Sequence, residues 1–285
     1  MSNSVFVPGH VTGFFSIENH EIRLKNGSCG AGFLLSEGVK TTVSPADRLV
    51  IDVNKGDETV IDEVLNILDV ETNFRITQDI SLPIGAGFGT SAASAFSLTL
   101  AISEFLNLGY SMELCGQIAH MAEINLGSGL GDVIAQTGRG LVLRTQPGAP
   151  GIGEIESFEH DVFVAYKTFG EIKTADIIGD PHHRQAISRS GQKYLELFEG
   201  EPTLENFLSF SRRFAGETDL MSGEVENLVD YFNSSSDILG SSMAMLGNTV
   251  FAFAYDEDAF KNSGIKDLHI CQLNNSGIVY DQTQL

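Results

Sequence analysis

The spacing of apolar and polar residues along the chain predicts a mixture of strands and helices. Residues 72–80 alternate polar and apolar side chains, which is typical of a half-buried strand. Residues 92–108 are largely apolar and precede Gly109, so they predict a helix that ends in a left-handed cap. The glycine-rich segment 83–91 separates the two elements. The order of strand, glycine loop and helix is the most distinctive local pattern of the chain.

The same periodicities predict the remaining elements and an α+β fold. Helices are predicted at residues 58–68, 111–126, 185–198, 204–215 and 224–233, and strands at 4–7, 21–24, 33–35, 39–43, 49–53, 140–144, 162–166, 250–255 and 268–273. Residues 11–17 are a further short apolar segment, and the glycine-rich stretches 26–32 and 127–131 predict loops. The proline- and glycine-rich stretch 145–153 predicts a boundary between two domains, residues 1–153 and 154–285.

The glycine loop before the second predicted helix has the features of a phosphate-binding site. Glycines let backbone N–H groups approach an anion closely, and the first turn of a helix offers unpaired donors at the positive end of its dipole. The predicted phosphate-binding residues are Pro83, Gly85, Gly87, Phe88, Gly89, Thr90, Ser91 and Ala92. The segment lacks the Lys-Ser/Thr pair of a Walker P-loop. It also lacks the preceding strand near the N-terminus and the acidic residue about 20 positions further on that are typical of a dinucleotide-binding fold. The alternative is a tight turn that lets two elements pack closely.

Two carboxylates follow this loop along the chain. Glu123 lies near the end of the predicted helix 111–126, and Asp132 follows the glycine loop 127–131. Two such groups can divide their roles, since one can hold a divalent cation while the other acts as a base. Taken alone, Glu123 would be a solvated helix residue and Asp132 a helix N-cap. The candidate catalytic residues are Asp132, Glu123 and Ser91, and the candidate ligands for Mg²⁺ are Glu123, Thr90 and Ser91.

Two further polar residues are candidates for binding a substrate. His10 follows Pro8-Gly9 at a predicted strand end, and Arg144 ends the strand after Asp132. Arg144 offers a planar, two-pronged donor for a carboxylate. The alternatives are a structural histidine and a solvated arginine at a strand end. His120 is interpreted as a surface or core residue of its helix.

Charge and cysteine content narrow the class of protein. The 285-residue chain has a formal net charge of −21, which argues against binding to nucleic acid or to an anionic membrane. Its three cysteines are far apart and form no C-x-x-C motif, so neither a disulfide framework nor a zinc site is expected. The sequence begins without a signal peptide and has no apolar run of membrane-spanning length. These features predict a cytoplasmic protein.

The motifs together resemble those of the GHMP kinases. Residues 83–94 resemble the phosphate-binding motif of that superfamily, and Glu123 and the segment 127–132 resemble its metal-binding Glu and catalytic Asp. Residues 7–10 resemble its N-terminal strand motif, with His10 where many members carry Lys or Arg. Within the superfamily, segments 7–15, 26–33, 123–132 and 241–252 together resemble the archaeal pantoate kinase branch. One departure is the third motif, where residues 241–248 keep a single glycine, Gly247.

The resemblance implies a fold and an activity. The fold would have an N-terminal domain of the ribosomal-protein-S5-domain-2-like type with a left-handed βαβ unit, and a ferredoxin-like C-terminal domain. ATP and Mg²⁺ would bind between them, and the γ-phosphoryl group would pass to the 4-hydroxyl of pantoate, a step in coenzyme A biosynthesis. Asp132 would be the base, and Arg144 and His10 would bind the pantoate carboxylate. The alternatives are another acceptor, such as homoserine or mevalonate, or a non-catalytic ATP and metabolite sensor. A homodimer is the assembly that we expect.

Overall fold

The computed structural model describes residues 2–71, 73–171 and 181–283 and shows two β-sheets with helices packed on them. The strands are β1 (Ser2–Glu18), β2 (Gly27–Pro45), β3 (Val50–Val53), β4 (Phe74–Ile80), β5 (Leu141–Gln146), β6 (Glu154–Phe158), β7 (Phe163–Thr168), β8 (Gly240–Met243), β9 (Thr249–Ala254), β10 (His269–Gln272) and β11 (Val279–Thr283). The first sheet has the order β11-β1-β2-β4-β3, with β5 paired to β2 and β6 paired to β5. The second sheet has the order β10-β7-β9-β8.

Six of the described helices fall close to predicted positions, whereas the short helices at Asp132–Ala135, Asp258–Lys261 and Arg23–Lys25 are not predicted. The described helices are α1 (Thr59–Leu68), α2 (Thr90–Leu106), α3 (Met112–Leu126), α4 (Asp132–Ala135), α5 (Pro181–Gly200), α6 (Leu204–Thr218), α7 (Gly223–Asn233) and α8 (Asp258–Lys261), with a short 3-10 helix at Arg23–Lys25. The predicted end of α2 at Gly109 is wrong by two residues, because Asn107 takes the left-handed cap with φ 54°. Asn tolerates that conformation better than most residues with a side chain. None of the described helices is both long and apolar enough to cross a membrane.

The two sheets have the connections that the resemblance implies. β3, α1 and β4 form a βαβ unit whose two strands pair in parallel, and the hand of this crossover stays a prediction. In the second sheet every pairing is antiparallel. Counted along the chain from β7, its strands stand in the order fourth, first, third, second, which is the ferredoxin-like arrangement. The mixed α+β prediction is therefore confirmed.

The hydrophobic core lies on both faces of the first sheet. One cluster packs the sheet against α1, α2 and α3, and α2 is buried along most of its length. The second cluster joins β1 and β2 to the second sheet and its helices, and phenylalanines dominate it. The ring centroid of Phe33 lies 5.0 Å from that of Phe251 and 4.8 Å from that of Phe253. Edge-to-face contacts of this kind add to the stabilisation from burial.

The N-terminal strands differ from their prediction. β1 does not end at Pro8-Gly9 but continues to Glu18, with an irregular register at Pro8 that accommodates the missing N–H. The stretch 26–32, predicted as a loop, lies mostly within β2. A Cβ at Gly30 would overlap the carbonyl oxygen of Phe14, so this glycine permits close approach of β1 and β2. Residues 21–24, predicted as a strand, instead lead into the 3-10 helix.

The predicted boundary at residue 153 falls in the turn between β5 and β6, which pair within the first sheet. β11 also returns from the end of the chain to pair with β1. The division into residues 1–153 and 154–285 therefore stays a prediction. The three cysteines are unpaired, as the sequence predicts.

Candidate active site

A cavity of about 410 Å³ opens between the glycine loop before α2 and the glycine loop before α4. Its described lining residues are Thr12, Phe15, Ser28, Ile84, Gly85, Gly87, Phe88, Gly89, Thr90, Ser91, Gly127, Ser128, Gly129, Leu130, Gly131, Asp132, Glu171, Met245 and Leu246. The only charged side chains in this described lining are the carboxylates of Asp132 and Glu171. Among the described lining residues, the groups that give positive potential for an anion are the backbone N–H dipoles.

The first loop has the conformation that its glycines predict. Gly85, Gly87 and Gly89 have φ values of 69°, 85° and 57°, which is the left-handed region that glycine adopts without strain. Gly89 is the N-cap of α2, so the free amides of the first helical turn lie beside the cavity. The Thr90 hydroxyl donates to the Pro83 carbonyl oxygen at 3.0 Å and closes the loop. Six of the eight predicted phosphate-binding residues line the cavity; Pro83 and the buried Ala92 do not.

The C-terminal segment 241–248 packs directly against this loop. The Thr249 hydroxyl donates to the Ala86 carbonyl oxygen at 2.8 Å. A Cβ at Gly247 would overlap that same oxygen, so the one glycine kept from the third motif is required by close packing. Met245 and Leu246 complete the cavity wall. The segment therefore packs against the glycine loop and forms part of the cavity wall.

Glu123 is buried behind the second loop. Its side chain is 2% exposed, and the Ser128 hydroxyl donates to Oε1 at 2.7 Å. The other oxygen, Oε2, is buried without a hydrogen-bond partner. The pKa of Glu123 is raised to about 7, mainly by burial and in part by the Asp132 charge, while the Ser128 and Ser91 hydroxyl groups oppose the rise. A carboxylate held in this way is ready to accept a cation or a proton.

Asp132 lies at the junction of the two loops. A Cβ added to Gly89 would stand 3.0 Å from Asp132 Cγ, so the carboxyl group lies against the N-cap of α2. A Cβ added to Gly129 would overlap Glu123 Oε2 and stand 3.3 Å from Asp132 Oδ2. The structure thus brings both predicted acids to the same side as the glycine loop. The Asp132 side chain is 25% exposed and faces the cavity.

The two predicted substrate-binding residues lie behind Asp132. His10 is 0% and Arg144 is 1% exposed, and neither lines the cavity. His10 Nδ1 lies 2.6 Å from Asp132 Oδ1, and His10 Nε2 lies 3.1 Å from Arg144 Nη1. Arg144 Nε also donates to the Ser28 carbonyl oxygen at 3.3 Å. Arg144 therefore lies directly behind Ser28 and Gly131, which line the cavity, and substrate binding by His10 and Arg144 stays a prediction.

Sequence reasoning missed one residue that supports the site. Gln136 is fully buried, and its Nε2 donates to the Gly89 carbonyl oxygen at 3.0 Å. This bond ties α4 to the N-cap of α2. The available signal was a polar residue that follows the apolar run 133–135, one helical turn after Asp132.

Comparison with known proteins agrees with this geometry. The profile of the GHMP kinases N terminal domain matches residues 58–140. A pantoate kinase from Methanocaldococcus jannaschii is 33% identical over 259 residues, covering 89% of this chain and 93% of the relative. A pantoate kinase from Thermococcus kodakarensis is 35% identical over 272 residues, covering 90% and 89%.

Solved structures give the same result. A structure described as a phosphotransferase related to the CoA biosynthesis pathway has a TM-score of 0.88 at 30% identity, with 99% of each chain covered. Homoserine kinase from Cytophaga hutchinsonii has a TM-score of 0.69 at 17% identity, covering 98% of this chain and 97% of that one, which shows the shared fold. The chain belongs to the pantoate kinase family of the GHMP kinases.

Proposed function

We propose that this protein transfers the γ-phosphoryl group of ATP to the 4-hydroxyl group of pantoate. The observation that carries the proposal is the position of Asp132, whose carboxyl group lies against the N-cap of α2 at the edge of the glycine loop. The family supplies the donor and the acceptor. A base beside a phosphate-binding loop is the arrangement that phosphoryl transfer to a hydroxyl group requires.

The backbone of the first loop would hold the triphosphate. The positive-φ glycines and the first-turn amides of α2 present N–H donors to an anion without adding side-chain charge. Such donors are needed because a protein with a net charge of −21 would otherwise repel an anionic triphosphate. Asp132 would accept the proton of the acceptor hydroxyl group. The hydroxyl oxygen forms a bond to the γ-phosphorus, the bond from that phosphorus to the β,γ-bridging oxygen breaks, and ADP leaves.

The donor set fits Mg²⁺ as the metal ion. Glu123 has a buried oxygen without a hydrogen-bond partner, and the Ser91 hydroxyl is near enough to lower the pKa of the same carboxyl group. Within the described residues, no group of three or more His, Cys, Asp and Glu side chains could hold a metal. Mg²⁺ commonly takes one or two carboxylates and completes its shell with water and substrate phosphates. Glu123 and Ser91 would hold the ion, with Thr90 beside them, and the ion would neutralise charge on the phosphates.

The acceptor would bind at the end of the cavity formed by β1, β2 and the second loop. Thr12 and Ser28 contribute hydroxyl groups there, and Phe15 and Leu130 contribute apolar surface. Pantoate has the matching chemistry, since a dimethyl-substituted carbon separates its 4-hydroxyl group from its 2-hydroxyl and carboxylate groups. Within the described lining, the donors available to that carboxylate are hydroxyl groups and backbone amides.

The proposal is tested by measuring ADP release with ATP, Mg²⁺ and a panel of acceptors that contains pantoate, homoserine and mevalonate. We expect kcat/KM for pantoate to exceed that for the other acceptors by at least about 100-fold, and phosphorus NMR to show a phosphate ester on the 4-oxygen. A higher kcat/KM for homoserine or mevalonate would show that this compound, and not pantoate, is the acceptor. ATP binding without turnover on any acceptor would favour the sensor alternative.

We also propose that the enzyme works in the cytoplasm as a homodimer, without a nucleic acid or a membrane as partner. The strong negative charge and the unpaired cysteines support this environment. Light scattering coupled to gel filtration tests the assembly, and a mass near 31 kDa, that of one chain of 30.8 kDa, would contradict the dimer.

A further inference from the structure

Gln136 connects the helix that carries the proposed base to the phosphate loop. It lies directly after α4, the short helix that begins at Asp132, and its backbone N–H donates to the Asp132 carbonyl oxygen at 2.9 Å. Its side chain is fully buried, and Nε2 donates to the carbonyl oxygen of Gly89, the N-cap of α2, at 3.0 Å. One residue therefore bonds to the backbone on both sides of the reaction site.

The hydrogen bonds around Gly89 show that this contact is not needed to pair the backbone. The Gly89 carbonyl oxygen also accepts from the Ala93 N–H at 3.0 Å, so it has a partner without Gln136. A carbonyl oxygen can only accept, so the side-chain amide of Gln136 must turn its N–H group toward it. The opposite atom, Oε1, is then buried and has no hydrogen-bond partner among the described residues. A buried acceptor of this kind costs free energy, so the Gln136 side chain adds little to stability.

Gln78 provides a contrast within the same protein. It is also a buried glutamine that bonds to α2, since its Nε2 donates to the Ser94 carbonyl oxygen at 3.0 Å and to Thr41 Oγ1 at 2.9 Å. Its Oε1 accepts from the Ser94 hydroxyl group at 2.7 Å. Both polar atoms of the Gln78 amide are therefore paired, and this residue lies outside the described lining of the cavity. The same chemistry serves the core at Gln78 and lies at the active site at Gln136.

The space between the phosphate loop and Asp132 is closely defined. A Cβ added to Gly89 would stand 3.0 Å from Asp132 Cγ and 3.1 Å from Oδ1. His10 holds one oxygen of the carboxyl group, since its Nδ1 lies 2.6 Å from Asp132 Oδ1. Gln136 instead holds the backbone that carries this side chain. A small movement of α4 away from Gly89 would therefore separate the carboxylate from the phosphate loop.

We propose that Gln136 is a positioning residue, which sets the distance between the phosphate loop and the Asp132 carboxylate through its bond to Gly89. The acceptor hydroxyl group is thereby held in line with the γ-phosphorus. This role rests on the proposed function insofar as Asp132 is the base. Gln136 lies outside the described lining of the cavity, so it acts through its two neighbours and not by contact with substrate. Misplacing a catalytic group by about 1 Å can cost about 100-fold in rate.

The kinetic test uses Gln136→Met, which keeps an unbranched side chain of similar length and removes the donor together with the unpaired oxygen. We expect the rate of phosphoryl transfer to pantoate in a single turnover to fall about 10- to 100-fold. The Kd for ATP and the KM for pantoate should stay within about threefold of the wild-type values, because the groups that bind the substrates are unchanged. A wild-type rate would overturn the proposal, and so would a loss that appears only as weaker binding of ATP or pantoate.

Gln78→Met is the matched control, because it makes the same substitution at a buried glutamine that bonds to the same helix. It leaves the Ser94 hydroxyl group without its acceptor, so urea unfolding should show a larger loss of stability in Gln78→Met than in Gln136→Met. The transfer rate of Gln78→Met should stay within about twofold of the wild-type rate. An equal loss of rate in both variants would overturn the proposal. Greater destabilisation of Gln136→Met, including failure to fold, would also overturn it, because Gln136 would then serve the fold and not the base.

A double-mutant cycle shows whether Gln136 acts through Asp132. In Asp132→Asn the base is absent, so adding Gln136→Met should lower the residual transfer rate by less than about twofold. A further loss of about 10- to 100-fold would show that Gln136 acts independently of the base, and would overturn the proposal. If the wild-type enzyme phosphorylates a different acceptor, the proposed function fails alone, and the same variants are measured with that acceptor.

Discussion

The buried carboxyl group of Glu123 gives a prediction that links stability to metal binding. Burial raises the pKa of Glu123 from 4.5 to about 7 in the folded, ligand-free protein. Between these two values the folded state holds a proton that the unfolded state has released. The contribution of Glu123 therefore destabilises the fold progressively as pH rises from about 4.5 to about 7, and stays constant above that range.

The size of the effect follows from the pKa difference of about 2.5 units, or about 3 kcal/mol when Glu123 is fully ionised. Between pH 5 and pH 8 the expected change in unfolding free energy is about 2 to 3 kcal/mol. Glu123→Gln removes this titration. The substitution also has a pH-independent cost, because it places N–H donors where the carboxylate had an acceptor oxygen. That cost cancels when the two pH values are compared within one variant.

The assay is urea unfolding of the wild type and Glu123→Gln at pH 5 and pH 8, in EDTA and without nucleotide. Relative to the wild type, the variant should gain about 2 to 3 kcal/mol on going from pH 5 to pH 8. With ATP and Mg²⁺ at pH 8 the wild type should be stabilised and the variant much less so. An equal pH dependence of the two proteins would refute the buried ionisation.

Three further predictions test the packing of the glycine loops and the burial of Cys29. Gly129→Ala places a Cβ onto Glu123 Oε2, so we expect the affinity for Mg²⁺ to fall about 10- to 100-fold, measured by titration calorimetry in the presence of nucleotide. Unchanged affinity would show that Glu123 is not a ligand of the metal. Gly247→Ala places a Cβ onto the Ala86 carbonyl oxygen, so the KM for ATP should rise about tenfold, and a wild-type KM would show that segment 241–248 does not shape the phosphate loop. Burial raises the pKa of Cys29 to about 11, so its thiol should react with iodoacetamide at pH 8 at least about 100-fold more slowly in the native protein than in urea, and comparable rates would contradict its burial.

The glycine loop and its helix are predictable from the sequence because their function depends on local backbone geometry. A strand, three alternating glycines and a small-residue helix can place backbone donors without help from distant residues. The glycines of segment 26–32 predict a loop, and this prediction is wrong because the need for glycine there arises from a distant part of the chain. At Gly30 the requirement comes from Phe14 on a neighbouring strand, and a glycine for close packing has the same local pattern as a glycine in a turn.

The contact between His10 and Arg144 depends on long-range strand pairing that no local pattern contains. His10 and Arg144 are 134 positions apart, and they meet because β1 and β5 flank β2 in the first sheet. Their burial follows from that sheet arrangement and from the core packed on it. The sequence singles out both residues as candidates for substrate binding, which stays a prediction, but no local pattern shows that His10 contacts Asp132 or that Arg144 contacts His10.

The most direct test of the account is single-turnover phosphoryl transfer to pantoate by Asp132→Asn, with the Kd for ATP measured on the same protein. The substitution keeps the size of the side chain and removes the base. We predict that the rate of transfer falls about 10²- to 10⁴-fold, while the Kd for ATP stays within about threefold of the wild-type value. Wild-type transfer by Asp132→Asn would contradict the central claim that this carboxylate, held at the edge of the phosphate loop, activates the acceptor.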